Sequence, residues 1–561
     1  MSFFENRHNA SLLMIASIIM ALTIGAHAQQ SKLGKVDFPT SGSRKAQAHF
    51  IRGLAALHSF WFEEALDEFR ESTKAEPDFM MGYWGEAMAH NHPLWAEQDT
   101  EAARKVVEKI KDTPKLTERE RAFISAVRAL YGEGDKLARD RAYQAAMEKI
   151  YRDYPDDLEA ACFYSLSLLG TVRPGDKGFS RQMKAGAIAT DVYEKNPNHP
   201  GAAHYIIHAF DDPEHAILAL PAARRYAEIA PAAHHARHMP AHIFLQLGMW
   251  PEAAASNESA WAVSVEWVKR KGLPISARDY HSLHWLTYVY LQQGRYTKAE
   301  ELLALKKSDM AGAGNDPGVN RSYEDMAAAL IIETEAWERA SKIFASDAKA
   351  ADDSGAGAHA GHGPGQMPAT GRYRRNLTLP VFVRGMAAAK AGSPDAEKAI
   401  AELQAMRKQM PASEAYAAKG VEIRELEIAA TVALAKEKYD EAGELMKRAT
   451  ALEEELSPPS GPPNLIKPSH ELLGEILLQA KRYKDAAEQF QVALSRQPNR
   501  ARSLLGAARA AARAGDQKGA AEIYSALLKQ WQQADSQLPE LREAQDYLKQ
   551  SNAQLIPVKT R

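Results

Sequence analysis

One spacing recurs along this chain and constrains its fold more than any other feature. Near the C-terminus Gly474 is followed by Ala486, Phe490, Ala493 and Pro498, and far upstream Gly53 is followed at the same intervals by Ala65, Phe69, Ser72 and Pro77. Small residues at fixed places let two successive helices pack closely, an aromatic fills the space between them, and proline ends the second. Partial versions are Gly248-Met249-Trp250 with Ala253 and Ala260, Gly294-Arg295-Tyr296 with Ala299, Tyr439 with Ala442, Met446 and Ala449, and the helices that close on Ala520 and Tyr524. Apolar residues return every three or four positions throughout, and Ala and Leu dominate, as amphipathic helices require. The expectation is an all-α array of helix pairs, because one such pair cannot bury its own apolar face.

This pattern resembles the tetratricopeptide repeat, a helix-turn-helix unit of about 34 residues. The resemblance implies a helical solenoid, a right-handed superhelix of antiparallel helix pairs whose first helices line a concave groove. Residues 29–310 read as an N-terminal repeat block, 311–456 as degenerate helical repeats, and 470–550 as a C-terminal repeat pair. A Gly/His-rich insertion at 347–370 reads as a flexible excursion and 457–469 as a stiffer proline-rich joint.

Residues 1–28 read as a signal peptide. A polar start containing Arg7 precedes an apolar stretch from Leu12 to Ile24, and Ala26-His27-Ala28 supplies small residues for cleavage after Ala28. The mature protein is therefore expected to be periplasmic or secreted, with no membrane contact beyond that segment. Lys and Arg total 70 against 72 for Asp and Glu, so no basic field draws nucleic acid. With one cysteine there is no intramolecular disulfide and no Cys-rich zinc knuckle, so a metal must be held by nitrogen or oxygen. That residue, Cys162, lies beside Phe163 and Tyr164 and reads as a buried, unreactive thiol.

Histidine is where the sequence departs from a plain scaffold. Of 19 histidines, ten fall between His199 and His284, and their spacing puts them on helix faces. His204 and His208 are four apart, His235, His238 and His242 three and then four, His281 and His284 three. In the repeat frame they are the fifth and ninth, the second, fifth and ninth, and the second and fifth residues of three successive first helices. The resemblance implies that these places face the groove. The runs His204-Tyr-Ile-Ile-His208, His238-Met-Pro-Ala-His242-Ile-Phe and Tyr280-His281-Ser-Leu-His284-Trp also resemble a group of exported bacterial tetratricopeptide proteins, which implies a fold and a location but no reaction. By the same frame His58, Trp84, Met88, Asn91, His92 and Glu159 line the groove from the N-terminal repeats, and Glu471 and Glu475 from the C-terminal block.

Three functions stay open on these residues. The first is a scaffold that binds a protein, peptide or small ligand against the histidine wall, with no catalytic residue assigned. The second is a metal-binding protein or metal-dependent enzyme in which His204, His208, His235, His238, His242, His281 and His284 supply the ligands; imidazole suits Zn, Cu, Ni or Fe. The third is metal storage or delivery, with His359, His362 and Met367 of the insertion assisting. His470-Glu471 lacks the second histidine of HExxH, which argues against a metalloprotease helix.

Overall fold

The structure, a computed structural model, describes residues 32–344 and 369–554, apart from 174, 177, 314–318, 320 and 321. The proposed signal peptide and the residues His359, His362 and Met367 lie outside the described residues. The chain divides into two compact units. The first comprises the described residues up to Thr171, with Ser180–Ala209 and Pro221–Met239; the second comprises the described residues of Val172–Phe179, Phe210–Leu220 and those from Pro240 onward.

The helices run α1 (Arg44–His58), α2 (Phe62–Ala75), α3 (Met80–Ala89), α4 (Thr100–Val107), α5 (Glu118–Leu130), α6 (Lys136–Asp153), α7 (Leu158–Gly170), α8 (Ser180–Lys195), α9 (Pro200–Ala209), α10 (Ala216–Ile229) and α11 (His234–His238). They continue as α12 (Pro240–Gln246), α13 (Trp250–Lys271), α14 (Tyr280–Gln292), α15 (Tyr296–Ala313), α16 (Tyr323–Thr334), α17 (Ala340–Ile343), α18 (Ala369–Lys390), α19 (Asp395–Lys408), α20 (Ala415–Ala435), α21 (Tyr439–Glu454), α22 (Ser469–Gln479), α23 (Tyr483–Arg496), α24 (Ala501–Ala514), α25 (Gln517–Gln530) and α26 (Pro539–Gln554). The only sheet among the described residues is a two-residue pairing of Asn91–His92 with Glu97–Gln98. No helix among them is long and apolar enough to cross a membrane.

The helices pack as close antiparallel pairs, as the sequence spacing predicted, and the glycines show why. A Cβ on Gly53 of α1 would stand 2.9 Å from the Phe69 ring of α2, and one on Gly85 of α3 would collide with the same ring. Gly474 of α22 and Gly506 of α24 flank Phe490 of α23 in the same way. The aromatic is thus wedged between a helix and its two neighbours, which is the role the sequence spacing assigned to it. Both phenylalanines are fully buried.

The turn inside each pair is also shared. Residues 60, 248, 294, 437 and 481 all adopt positive φ, and the residue two places on, Phe62, Trp250, Tyr296, Tyr439 or Tyr483, opens the next helix. The intervening amide donates five residues back, as in Trp61 to Ala56 (3.0 Å), Met249 to Phe244 (2.7 Å) and Arg482 to Leu477 (2.8 Å). This is the left-handed helix cap that glycine normally occupies. Gly248 and Gly294 obey the rule, whereas Phe60, Glu437 and Lys481 break it.

In the second unit the C-terminal pairs pack onto the turns of α12–α15. Trp250 Nε1 donates to the Asn499 carbonyl at 2.9 Å, and Trp531 Nε1 to that of Gln292 at 3.0 Å. Arg500, fully buried, grips Glu471 with two nitrogens at 2.7 and 3.1 Å and lies 2.7 Å from Glu333. These contacts hold α12–α15 and the C-terminal helices together within the second unit. The border of the compact units falls between Met239 and Pro240, because α12–α15 take their apolar and ionic partners from the C-terminal helices.

Candidate metal centre

The helix starts match the expected register for six of the histidines, whereas His242, expected as the ninth residue of one helix with His235 and His238, is the third residue of α12. With α9 beginning at Pro200, His204 and His208 are its fifth and ninth residues; α11 begins at His234 and α14 at Tyr280, which places His235, His238, His281 and His284 as the repeat frame does. Pro240 then starts a new helix, because proline offers no amide to continue α11.

In the first unit the Nε2 atom of His204 meets two others, that of His208 at 3.0 Å and that of His235 at 3.1 Å. All three side chains are buried, at 0 to 2% exposure. The Nδ1 of His204 donates to the carbonyl oxygen of His58 at 2.7 Å, which fixes the tautomer and makes Nε2 the acceptor nitrogen, on the side of the cluster. Phe60 touches all three rings, with centroid distances of 4.3 Å to His204 and 5.8 Å to both His208 and His235. Its backbone sits at φ 51°, a conformation that costs a bulky residue about 1–2 kcal/mol relative to glycine. Tyr226 stacks on His204 from another side, 5.3 Å between centroids.

A second buried group in the same unit joins His58, Glu159 and His199, all 0% exposed. His58 Nε2 donates to Glu159 Oε2 at 2.7 Å, and the Tyr205 hydroxyl lies 2.8 Å from His58 Nδ1. His199 caps α9: its Nδ1 accepts the Ala202 amide at 3.1 Å, so its Nε2 carries the proton given to Glu159 Oε1, also at 3.1 Å. The amide contact decides for the neutral ring, since a protonated Nδ1 would face another donor. Burial by itself would raise the Glu159 carboxyl, but His199 and His58 hold it well below the usual carboxylate range. Burial, outweighing Glu159, keeps the His58 pKa below its ordinary value. Every proton here has a donor and an acceptor within the protein, so this group is a self-satisfied hydrogen-bond network.

In the second unit His242 Nδ1 donates to Asp211 at 2.7 Å, and Gln246 also donates to that carboxylate, at 3.1 Å. The His242 and His281 rings both pack on Trp285, at 4.3 and 5.5 Å, and a ligand nitrogen of one lies within 4.8 Å of the other's. His284, half-buried, belongs to neither cluster, and His238 lies buried with its ring 6.0 Å from that of His235.

Several expected groove residues are elsewhere. Trp84 is fully buried among Phe38, Phe50, Phe123 and Phe163, its Nε1 donating to the Phe123 carbonyl, so it is core rather than groove wall. Glu471 is committed to Arg500 and Lys467, and Glu475 to Lys467 at 2.6 Å. His92 stacks on Phe62 at 4.0 Å, and Met88 and Asn91 are buried beside a small cavity. His58 and Glu159, expected as separate wall positions, form one network. Phe60, Asp211 and the capping role of His199 were not expected. Phe60-Trp61-Phe62 standing where other repeats carry Gly-x-Trp or Gly-x-Tyr was the available signal. Cys162 is buried as expected, and burial pushes its thiol up, with His199 nearby at 3.7 Å.

No protein-family profile matches the chain, and no curated protein does. Solved structures resemble it distantly. The human IFIT1 dimer with PPP-AAAA is 13% identical over 90% of this chain and 94% of that one, at a TM-score of 0.35. The APC/C hetero-tetramer Cut9-Hcn1 is 12% identical over 90% and 76%, at 0.30, and yeast Tom70 10% over 91% and 90%, at 0.22. At such values the likeness carries no functional argument.

Proposed function

We propose that this protein is a helical-repeat metalloprotein whose first unit binds one divalent transition-metal ion through the Nε2 atoms of His204, His208 and His235. The observation that supports it is the convergence of those three nitrogens. Two imidazole nitrogens bound to one tetrahedral ion at 2.0–2.1 Å stand roughly 3.3 Å apart, and the pairs here stand at 3.0 and 3.1 Å. The His58 carbonyl orients His204 as outer partners of metal-bound histidines do. A set of three neutral imidazoles suits Zn, Cu, Ni or Fe and leaves a fourth position for an outside ligand.

The reading as a groove that binds a protein or peptide takes second place, since Trp84 and Glu471 are enclosed in the interior. Metal storage or delivery would use the same three ligands. Export through the segment ending at Ala28 belongs to this proposal, because a protein matured outside the cytoplasm would meet its metal there.

The test is the metal content, by elemental mass spectrometry, of untagged full-length protein exported by its own leader, beside a His204→Ala/His235→Ala variant. Close to one metal per chain, lost in the variant, is the expected result. A folded wild-type protein that carries no metal and takes up none when titrated with Zn(II), Cu(II), Ni(II) or Co(II) overturns the proposal.

A further inference from the structure

We infer that Phe60 is a shutter over the fourth coordination position of this metal, and that the outside ligand it admits is no larger than water or a small inorganic anion. The inference rests on the metal reading and specifies the ligand class of the same site.

The first support is the backbone. At the matching turn of other repeats the left-handed residue is Gly248 or Gly294, or the solvated Glu437 or Lys481. Only at residue 60 does a large apolar side chain take the strained position, and there the ring is 4% exposed. A strained residue persists where its surroundings hold it, and such residues gather at functional sites. Here the ring is spent on the histidines: it meets His204 edge-on and lies nearly parallel to His208 and His235, at 25° and 26°.

The second support is what lies against the same ring. Phe60 lines a cavity with Leu57, Met88, Asn91, Tyr143 and Ser167, and it has room for about one water molecule. The Tyr143 hydroxyl is buried and has no hydrogen-bond partner among the described residues. An orphaned buried hydroxyl beside a water-sized space marks a place for a small polar molecule. Phe60 therefore borders both that place and the three imidazoles, and the space beside it is too small for a peptide or sugar.

The test uses full-length protein loaded with Co(II), whose visible spectrum reports its coordination, titrated with azide. Wild type is compared with Phe60→Gly and Phe60→Asn, both residues that the chain already holds at positive φ, at Gly248 and Asn499. Removing the shutter is expected to tighten azide binding at least tenfold in either variant. If one variant fails to fold by circular dichroism, the other decides. Co(II) uptake with azide titrations indistinguishable from wild type overturns the shutter while leaving the metal site standing. Failure of the folded wild type to bind Co(II) overturns the metal reading itself, and the shutter with it.

Discussion

His204 gives its Nδ1 proton to the backbone oxygen of His58, 2.7 Å away and 146 residues earlier in the chain. The His58 side chain is held in turn by Glu159 and Tyr205. His58 thus belongs to both clusters, through its backbone oxygen to the three converging histidines and through its ring to Glu159.

Glu159→Gln should weaken metal binding by about tenfold without removing a ligand, because disturbing the groups behind a metal-bound histidine typically costs that much. Competition with a chromophoric chelator measures it. An unchanged affinity in a folded variant would show that the two clusters are independent.

Arg500→Met should destabilise the second unit by about 3–5 kcal/mol, since it leaves Glu333 buried without its cation and Glu471 with Lys467 alone. Urea denaturation followed by circular dichroism reads this directly. A loss under about 1 kcal/mol would mean that water reaches the pair.

Gly506→Ala should cost about 1–3 kcal/mol, because its Cβ meets the Phe490 ring in a packed core. The same change at Gly443, where a Cβ meets nothing within 4 Å, is the control and should be neutral or mildly stabilising. Equal melting shifts for the two would contradict the wedge.

Glu427 gives a dependence on pH. Burial, then Ser469 opposing it and Glu453 reinforcing it, raises its carboxyl well above the usual value, so the folded protein holds a proton that the unfolded chain releases near pH 4.5. A raised folded pKa contributes stability at low pH that is lost as pH climbs toward the folded value. Glu427→Gln, which keeps an acceptor for Ser469, should therefore gain on wild type as pH rises from 5 to 7. Parallel denaturation midpoints across that range would exclude a protonated Glu427.

The wedge of Phe69 and Phe490 was readable because its parts lie within one repeat, at fixed intervals that helical geometry turns into contacts. The register of His204, His208, His235 and His281 followed from the same local periodicity. Trp84 was misplaced by that reasoning: the frame gives a side chain's direction on its own helix, but not how deeply neighbouring aromatics enclose it.

The sequence by itself thus determined an all-α chain of helix pairs and the faces on which its histidines stand, because those depend on residues a few positions apart. Only the tertiary structure decided which histidines meet. It joined His204 and His208 to His235 under Phe60, gave His58 and His199 to Glu159, and set Asp211 behind His242. Those pairings are made between helices far apart in the chain, where depth, tautomer and distance come from packing and leave no period in the sequence to read.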